Sequence, residues 1–228
     1  MRRPFSCLMR LPLLFVGLLL GGCATASPFC AGALTPYELV PSGRVGPRPS
    51  ILLLHGAGGS PADVIEPWRA LAAREGLVLI APRLPRTEAF EAAAPAVFKC
   101  VQADAAKRVS IDPARQYLFG YSMGGYLAFD GALLAADTFA GAAIYANGIA
   151  EPYRGLVDRA SRKLPIALYV GTLDPLLPLA RETRELLERK GFEVHAVEYP
   201  GVDHRLGPVA AELTEDAWRF LSSSSATR

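Results

Sequence analysis

Ser122 sits between Gly120 and Gly124 in the run Gly120-Tyr121-Ser122-Met123-Gly124-Gly125. A serine hydroxyl is a weak nucleophile near neutral pH. To attack a carbonyl it needs a general base, an acid that orients the base, and backbone N–H donors where the oxyanion will form. The chain has three histidines to choose from. His195 lies inside the strand-like run EVHAVEY, where its side chain is fixed in a sheet, so it reads as an edge or surface residue. His55 opens HGAGGS directly after ILLL, where glycines free the backbone to turn its amides inward. His204 lies in the loop PGVDHRLGP and has the freedom to reach Ser122.

The acid is expected between serine and histidine in chain order, the order that accompanies a strand-turn-helix nucleophile. Asp174, in GTLDPLLP, occupies that place. Taken alone, an Asp before Pro reads as a turn or helix cap; its position in the loop after the next-to-last strand makes it the acid. Asp203 adjoins His204, but neighbouring side chains in an extended loop diverge, so it ranks below Asp174. The oxyanion donors are expected to be the amides of Met123, next after the nucleophile, and of Ala57, with Gly58 as the second choice. HGAGGS lacks both the G-x-G-x-x-G spacing and a Walker lysine, so a phosphate-cradling loop is not indicated.

These residues need a scaffold. From Ile51 onward, short apolar runs alternate with stretches of helical spacing, which predicts an α/β fold with a mostly parallel sheet and helices on both faces. The expected strands are ILLL (51–54), LVLIA (77–81), QYLFGY (116–121), AGAAIYA (140–146), PIALYV (165–170) and EVHAVEY (193–199). A helix over 61–75 is signalled by Ser60 as N-cap, Pro61 at the first position and Gly76 as terminator. Further helices are expected near Gly124, over 180–191 and over 208–221, the last with Trp218 and Leu221 on its buried side. Segment 147–164 is too short for a lid domain, so an open pocket is expected, lined by Tyr121, Trp68 and that segment.

With these motifs in order, LLLHGAGGS, DPARQYLFGYSMGG, GTLDPLLP and YPGVDH resemble the small serine-esterase branch of the α/β-hydrolase superfamily. The run is similar to phospholipase/carboxylesterase, feruloyl-esterase and polyhydroxybutyrate-depolymerase-like proteins over about residues 51–221. The resemblance implies Ser122 as nucleophile, Asp174 as acid and His204 as base, acting on carboxylic esters, short-chain or aromatic, without metal or cofactor. Dienelactone hydrolases of the same superfamily carry cysteine where this chain has Ser122. The same residues also serve acyl transfer to an alcohol or an envelope component, and a hydrolase fold can persist as a non-catalytic binding scaffold. The expected open pocket favours hydrolysis.

The N-terminus predicts export. A basic start, MRRPFSCLMR, is followed by the apolar run LPLLFVGLLLGG, of signal-peptide length. LGGC at 20–23 resembles the lipobox of bacterial lipoproteins, which implies cleavage after residue 22 and a lipid on Cys23. Ala24 in place of Asp points to the outer membrane. An ordinary signal cut near ATA, giving a periplasmic or secreted protein, and an uncleaved anchor are the alternatives. The expected organisation is a signal peptide over 1–22, a lipidated tether over 23–32, a hydrolase domain over 33–221 and a frayed tail over 222–228. Loss of Arg2, Arg3 and Arg10, with no acid, takes the formal charge from +2 to −1. No basic run interleaved with aromatics follows, so nucleic-acid binding is not indicated. In an oxidising compartment Cys30 and Cys100 can form a disulfide; the alternative is a small apolar Cys100 on a helix and a free Cys30.

Overall fold

The computed structural model describes Cys30 and residues 34–225. The expected signal peptide, Cys23 and the rest of the tether apart from Cys30 lie outside the described residues, as do 226–228.

Seven strands form one sheet: β1 (Tyr37–Val40), β2 (Arg48–Leu54), β3 (Val78–Pro82), β4 (Ile111–Tyr121), β5 (Gly141–Tyr145), β6 (Ile166–Gly171) and β7 (Val194–Tyr199). Their spatial order is β1-β3-β2-β4-β5-β6-β7. All neighbours are parallel except β1, which runs antiparallel to β3. The six strands expected from sequence are present; β1 was not anticipated.

Alternation along the strands splits the core in two, because successive side chains point to opposite faces. Leu52 and Leu54 of β2 pack on one face with Phe98 and Val101 of α2 (Glu88–Arg108), Leu127 of α3 (Met123–Leu134) and Leu187 of α4 (Leu177–Arg189). Ile51 and Leu53 pack on the other with Val64 and Ile65 of α1 (Pro61–Glu75) and Leu213 and Leu221 of α5 (Ala210–Ser225). Strands covered on both faces read as near-continuous apolar runs, which is why β2 and β3 stand out in the sequence.

The helix boundaries follow local chemistry. The Asp63 carboxylate accepts the Ser60 amide at 2.7 Å at the start of α1, and Gly76 ends that helix in the left-handed region at φ +72°. Thr87 caps α2 by accepting the Phe90 amide at 3.2 Å. The tail expected from Ser222 is corrected: α5 continues to Ser225. The Ser222 and Ser223 hydroxyls bond back to the Arg219 and Phe220 carbonyls, and Ser224 reaches Glu193 at 2.8 Å, so serines that would fray a free end are tied down here.

Cys30 is disulfide-bonded to Cys100 of α2, with the two Cα atoms 5.5 Å apart. No helix among the described residues is long and apolar enough to cross a membrane.

Candidate active site

Ser122, Asp174 and His204 come from the loops that follow β4, β6 and β7, all at the carboxyl edge of the sheet. Parallel strands deliver the residues that follow them to one edge, so side chains up to 82 positions apart can converge. They do converge: His204 Nε2 lies 2.8 Å from Ser122 Oγ, and His204 Nδ1 lies 2.9 Å from Asp174 Oδ2.

The serine owes its position to a strained turn. Its φ of 53° and ψ of −118° are rare for a residue with a side chain, at a cost of about 1–3 kcal/mol. Four hydrogen bonds hold it there. The Ser122 amide donates to Tyr145 O at 3.0 Å, and the Ser122 carbonyl accepts from Gly125 N at 2.8 Å, Tyr126 N at 3.2 Å and Asn147 Nδ2 at 2.5 Å. The flanking glycines are there for space. A Cβ on Gly120 would stand 2.2 Å from Gly124 O, and one on Gly124 would stand 2.1 Å from Leu54 O, so α3 packs against β4 and β2 at distances no other residue permits.

Asp174 is buried, its side chain fully so. A carboxylate out of water needs partners, and it has two: Oδ1 accepts the Leu176 amide at 2.8 Å while Oδ2 faces His204. Asp203 turns outward instead and pairs with Arg205, whose guanidinium holds the Asp203 carboxyl below its ordinary value. Asp174, the acid expected from sequence, is thus the carboxylate beside His204, and Asp203 is not.

The His204 loop is held by its backbone. Tyr121 Oη donates to His204 O at 3.1 Å, and Tyr145 Oη donates to Arg205 O at 2.8 Å and to Asp203 O at 3.2 Å. Burial first, and then the charges of Asp174 and Asp203, push both phenols above their ordinary pKa, so each remains a donor. Tyr121, expected to line the pocket, thus has its hydroxyl committed to positioning.

Ala57 and Met123, the oxyanion donors expected from sequence, follow Gly56 and Ser122 directly in the chain. The Gly56 backbone lies against the serine, since a Cβ there would come within 3.4 Å of Ser122 Cβ. Met123 is the first residue of α3, where amides lack intrahelical acceptors. Among the described residues neither the Ala57 nor the Met123 amide is paired. His55 fixes the loop: its Nδ1 stands 2.9 Å from Gly56 O and its Nε2 accepts the Leu84 amide at 3.2 Å, which requires the neutral ring with the proton on Nδ1. His195 is occupied elsewhere, 2.6 Å from Asp216 and stacked on Phe220.

Trp68 is a correction. It is fully buried on α1, edge-on to Phe119 with ring centroids 5.4 Å apart, and it fills the core instead of facing substrate. Asn147 and Tyr145, the second a core tyrosine, were missed. Both stand at the carboxyl end of β5, and their place between the triad-bearing strands was the available signal.

The elements that carry Ser122, Asp174 and His204 span nearly the whole fold. A model described as the dienelactone hydrolase family matches residues 36–219. No curated protein matches. Among solved structures, esterase PE8 shares 19% identity with a TM-score of 0.70, covering 82% of this chain and 97% of that one. A phospholipase/carboxylesterase from Dyadobacter fermentans shares 20% identity, TM-score 0.61, covering 80% and 95%. The thermophilic esterase Est2 from Thermogutta terrifontis shares 19%, TM-score 0.66, covering 83% and 88%. At these identities the structural likeness shows the fold.

Proposed function

The chain belongs to the dienelactone hydrolase family of the α/β-hydrolase superfamily, and from that premise we propose that it is a serine esterase acting on small carboxylic esters. The observation that carries this reading is the continuous chain of contacts from Ser122 through His204 to the buried Asp174. His204 Nδ1–H donates to Asp174, which leaves Nε2 as the acceptor for the serine proton. The Ser122 oxygen adds to the ester carbonyl, and the oxyanion is received by the Ala57 and Met123 amides. His204 returns the proton to the departing alcohol, leaving an acyl-serine. Water, deprotonated by the same imidazole, then releases the acid and restores the serine.

The serine replaces the cysteine that the dienelactone hydrolases carry. A hydroxyl is far less acidic than a thiol, so this chain depends on the His–Asp pair for activation. His204 keeps 37% of its side chain exposed, which lets water reach the acyl-serine and favours hydrolysis over transfer. The neighbours described as esterases support the same substrate class.

Export on a lipid at Cys23 is part of the proposal. It rests on the N-terminal sequence and is supported by the Cys30–Cys100 disulfide, a bond suited to an oxidising compartment.

A p-nitrophenyl ester series from acetate to palmitate tests the reading. Turnover should peak at short chains; absence of turnover at every length contradicts it.

A further inference from the structure

Ser122 caps α3, and Tyr126, Asp130 and Leu134 follow it at four-residue intervals, so one stripe descends the helix from the nucleophile. Below Ser122 this stripe forms one wall of a cavity of about 440 Å³, a volume in the range of small-molecule sites. Glu88 and Glu91, from the first turn of α2, form the second wall. Tyr153 and Leu156, from the turn over Tyr153–Arg159, form the third.

Asp130 is the anomaly here. It is 94% buried by residue area, its exposure being 6%, and it lines the cavity. Among the described residues no hydrogen bond or ion pair meets it; burial and then the nearby Glu91 charge push its carboxyl up to about 7. The groups that face it are Glu88 and Glu91 from α2, Tyr126 from its own helix and Tyr153 from the turn, and none is cationic. An unpartnered carboxyl is costly to bury and earns its place if a ligand completes it.

The surroundings decide the ligand. Three carboxylates do not converge closely enough to hold a metal ion among the described residues. Two aromatic rings, Tyr126 and Tyr153, meet edge to face at 5.3 Å, and Leu134 and Leu156 supply apolar wall. Carboxylates beside aromatic faces and aliphatic surface suit an organic ammonium with an apolar stem.

We propose that this cavity binds the ammonium group of an ester substrate whose carbonyl sits at Ser122, with the cation received by Asp130 and Glu91. Eight residues of helix place Asp130 about 12 Å along α3 from the nucleophile, the reach of an extended aminoalkyl chain. The proposal rests on Ser122 as nucleophile and adds the charge of the substrate to it. When the cation enters, Asp130 releases its proton to solvent, so the preference for cationic esters strengthens as pH rises from 6 to 8.

Two measurements test it. In the first, hexylammonium is titrated calorimetrically at pH 8 into the Ser122→Ala protein, with and without Asp130→Asn. Saturable binding that weakens at least about tenfold with Asp130→Asn is expected; no saturation, or equal affinity, overturns the proposal. In the second, kcat/KM for p-nitrophenyl 8-aminooctanoate is divided by that for the neutral nonanoate within each protein, so a general loss of activity cancels. The ratio should exceed about 10 in the wild type and fall toward 1 in Asp130→Asn and in Glu91→Gln. A ratio near 1 in the wild type, or one unchanged in both variants, contradicts it. If no ester is turned over, the esterase reading fails, and the calorimetry still decides the cavity.

Discussion

Tyr121 Oη donates a hydrogen bond to the carbonyl oxygen of His204 at 3.1 Å, so the residue that precedes Ser122 holds the backbone of His204. The contact joins the last residue of β4 to the loop after β7 across 83 residues of chain. Tyr145, which pairs with Tyr121 in the register of β4 and β5 and stacks on it at 5.8 Å, holds the same loop at residues 203 and 205. His204 is therefore positioned from the sheet below as well as by Asp174.

Tyr145→Phe tests that positioning. It removes one donor shared by two carbonyls and preserves the ring in the core, so the cost in stability should be about 1–2 kcal/mol. With His204 less well placed, kcat should fall about tenfold while KM holds. Steady-state kinetics and a denaturant melt read both, and an unchanged kcat argues against a role for the tyrosine pair.

Asp174→Asn keeps the shape of the acid and removes its charge. The amide can present its NH2 to Nδ1 and favour the wrong tautomer, so kcat should drop about 10³–10⁴-fold with the fold intact. Asp203→Asn, at an exposed carboxylate paired to Arg205, should change kcat less than about threefold. Equal losses in the two variants contradict the assignment of the acid.

Gly120→Ala should be severe. Its Cβ would meet Gly124 O at 2.2 Å, and backbone on both sides cannot yield, so a loss of about 3 kcal/mol or more is expected. Gly155→Ala, with nothing within 4 Å of its Cβ, is the control and should stay within about 0.5 kcal/mol. Chemical denaturation of the pair measures the difference.

Asp130 gives stability a pH dependence of definite sign. Its carboxyl titrates at about 7 when folded, against an ordinary value of 3.8, so the folded state binds the extra proton between those values. Stability from this group is complete below about pH 4 and is lost as pH rises through 7. Asp130→Asn, which cannot ionise, should gain on the wild type by about 2–3 kcal/mol between pH 5 and pH 8. Melting curves at the two pH values check this; a constant difference would mean that Asp130 does not titrate there.

The candidate site was legible where local punctuation marks its residues, since the three residues picked out that way are the three the fold brings together. Ser122 shows in the paired glycines, His204 in a loop after the last strand, and Asp174 in its place between them. Trp68 stands apart from the pocket because Pro61, Val64, Ile65, Trp68, Leu71 and Ala72 recur at helical spacing, which puts the tryptophan on the buried stripe of α1. Strand β1 escaped because four residues bearing a glutamate, paired only with the distant β3, carry little pattern of their own. Asp130 was invisible for a similar reason. A carboxyl among apolar helix residues declares its burial only when α2 and the Tyr153–Arg159 turn close over it.

Reaction of the protein with a fluorophosphonate, followed by intact mass and peptide mapping, tests the central claim most directly. One adduct per chain on Ser122, absent in Ser122→Ala and strongly slowed in His204→Ala, is the predicted result. No adduct, or an adduct on another residue with Ser122 unmodified, would contradict the assignment of Ser122 as the activated nucleophile.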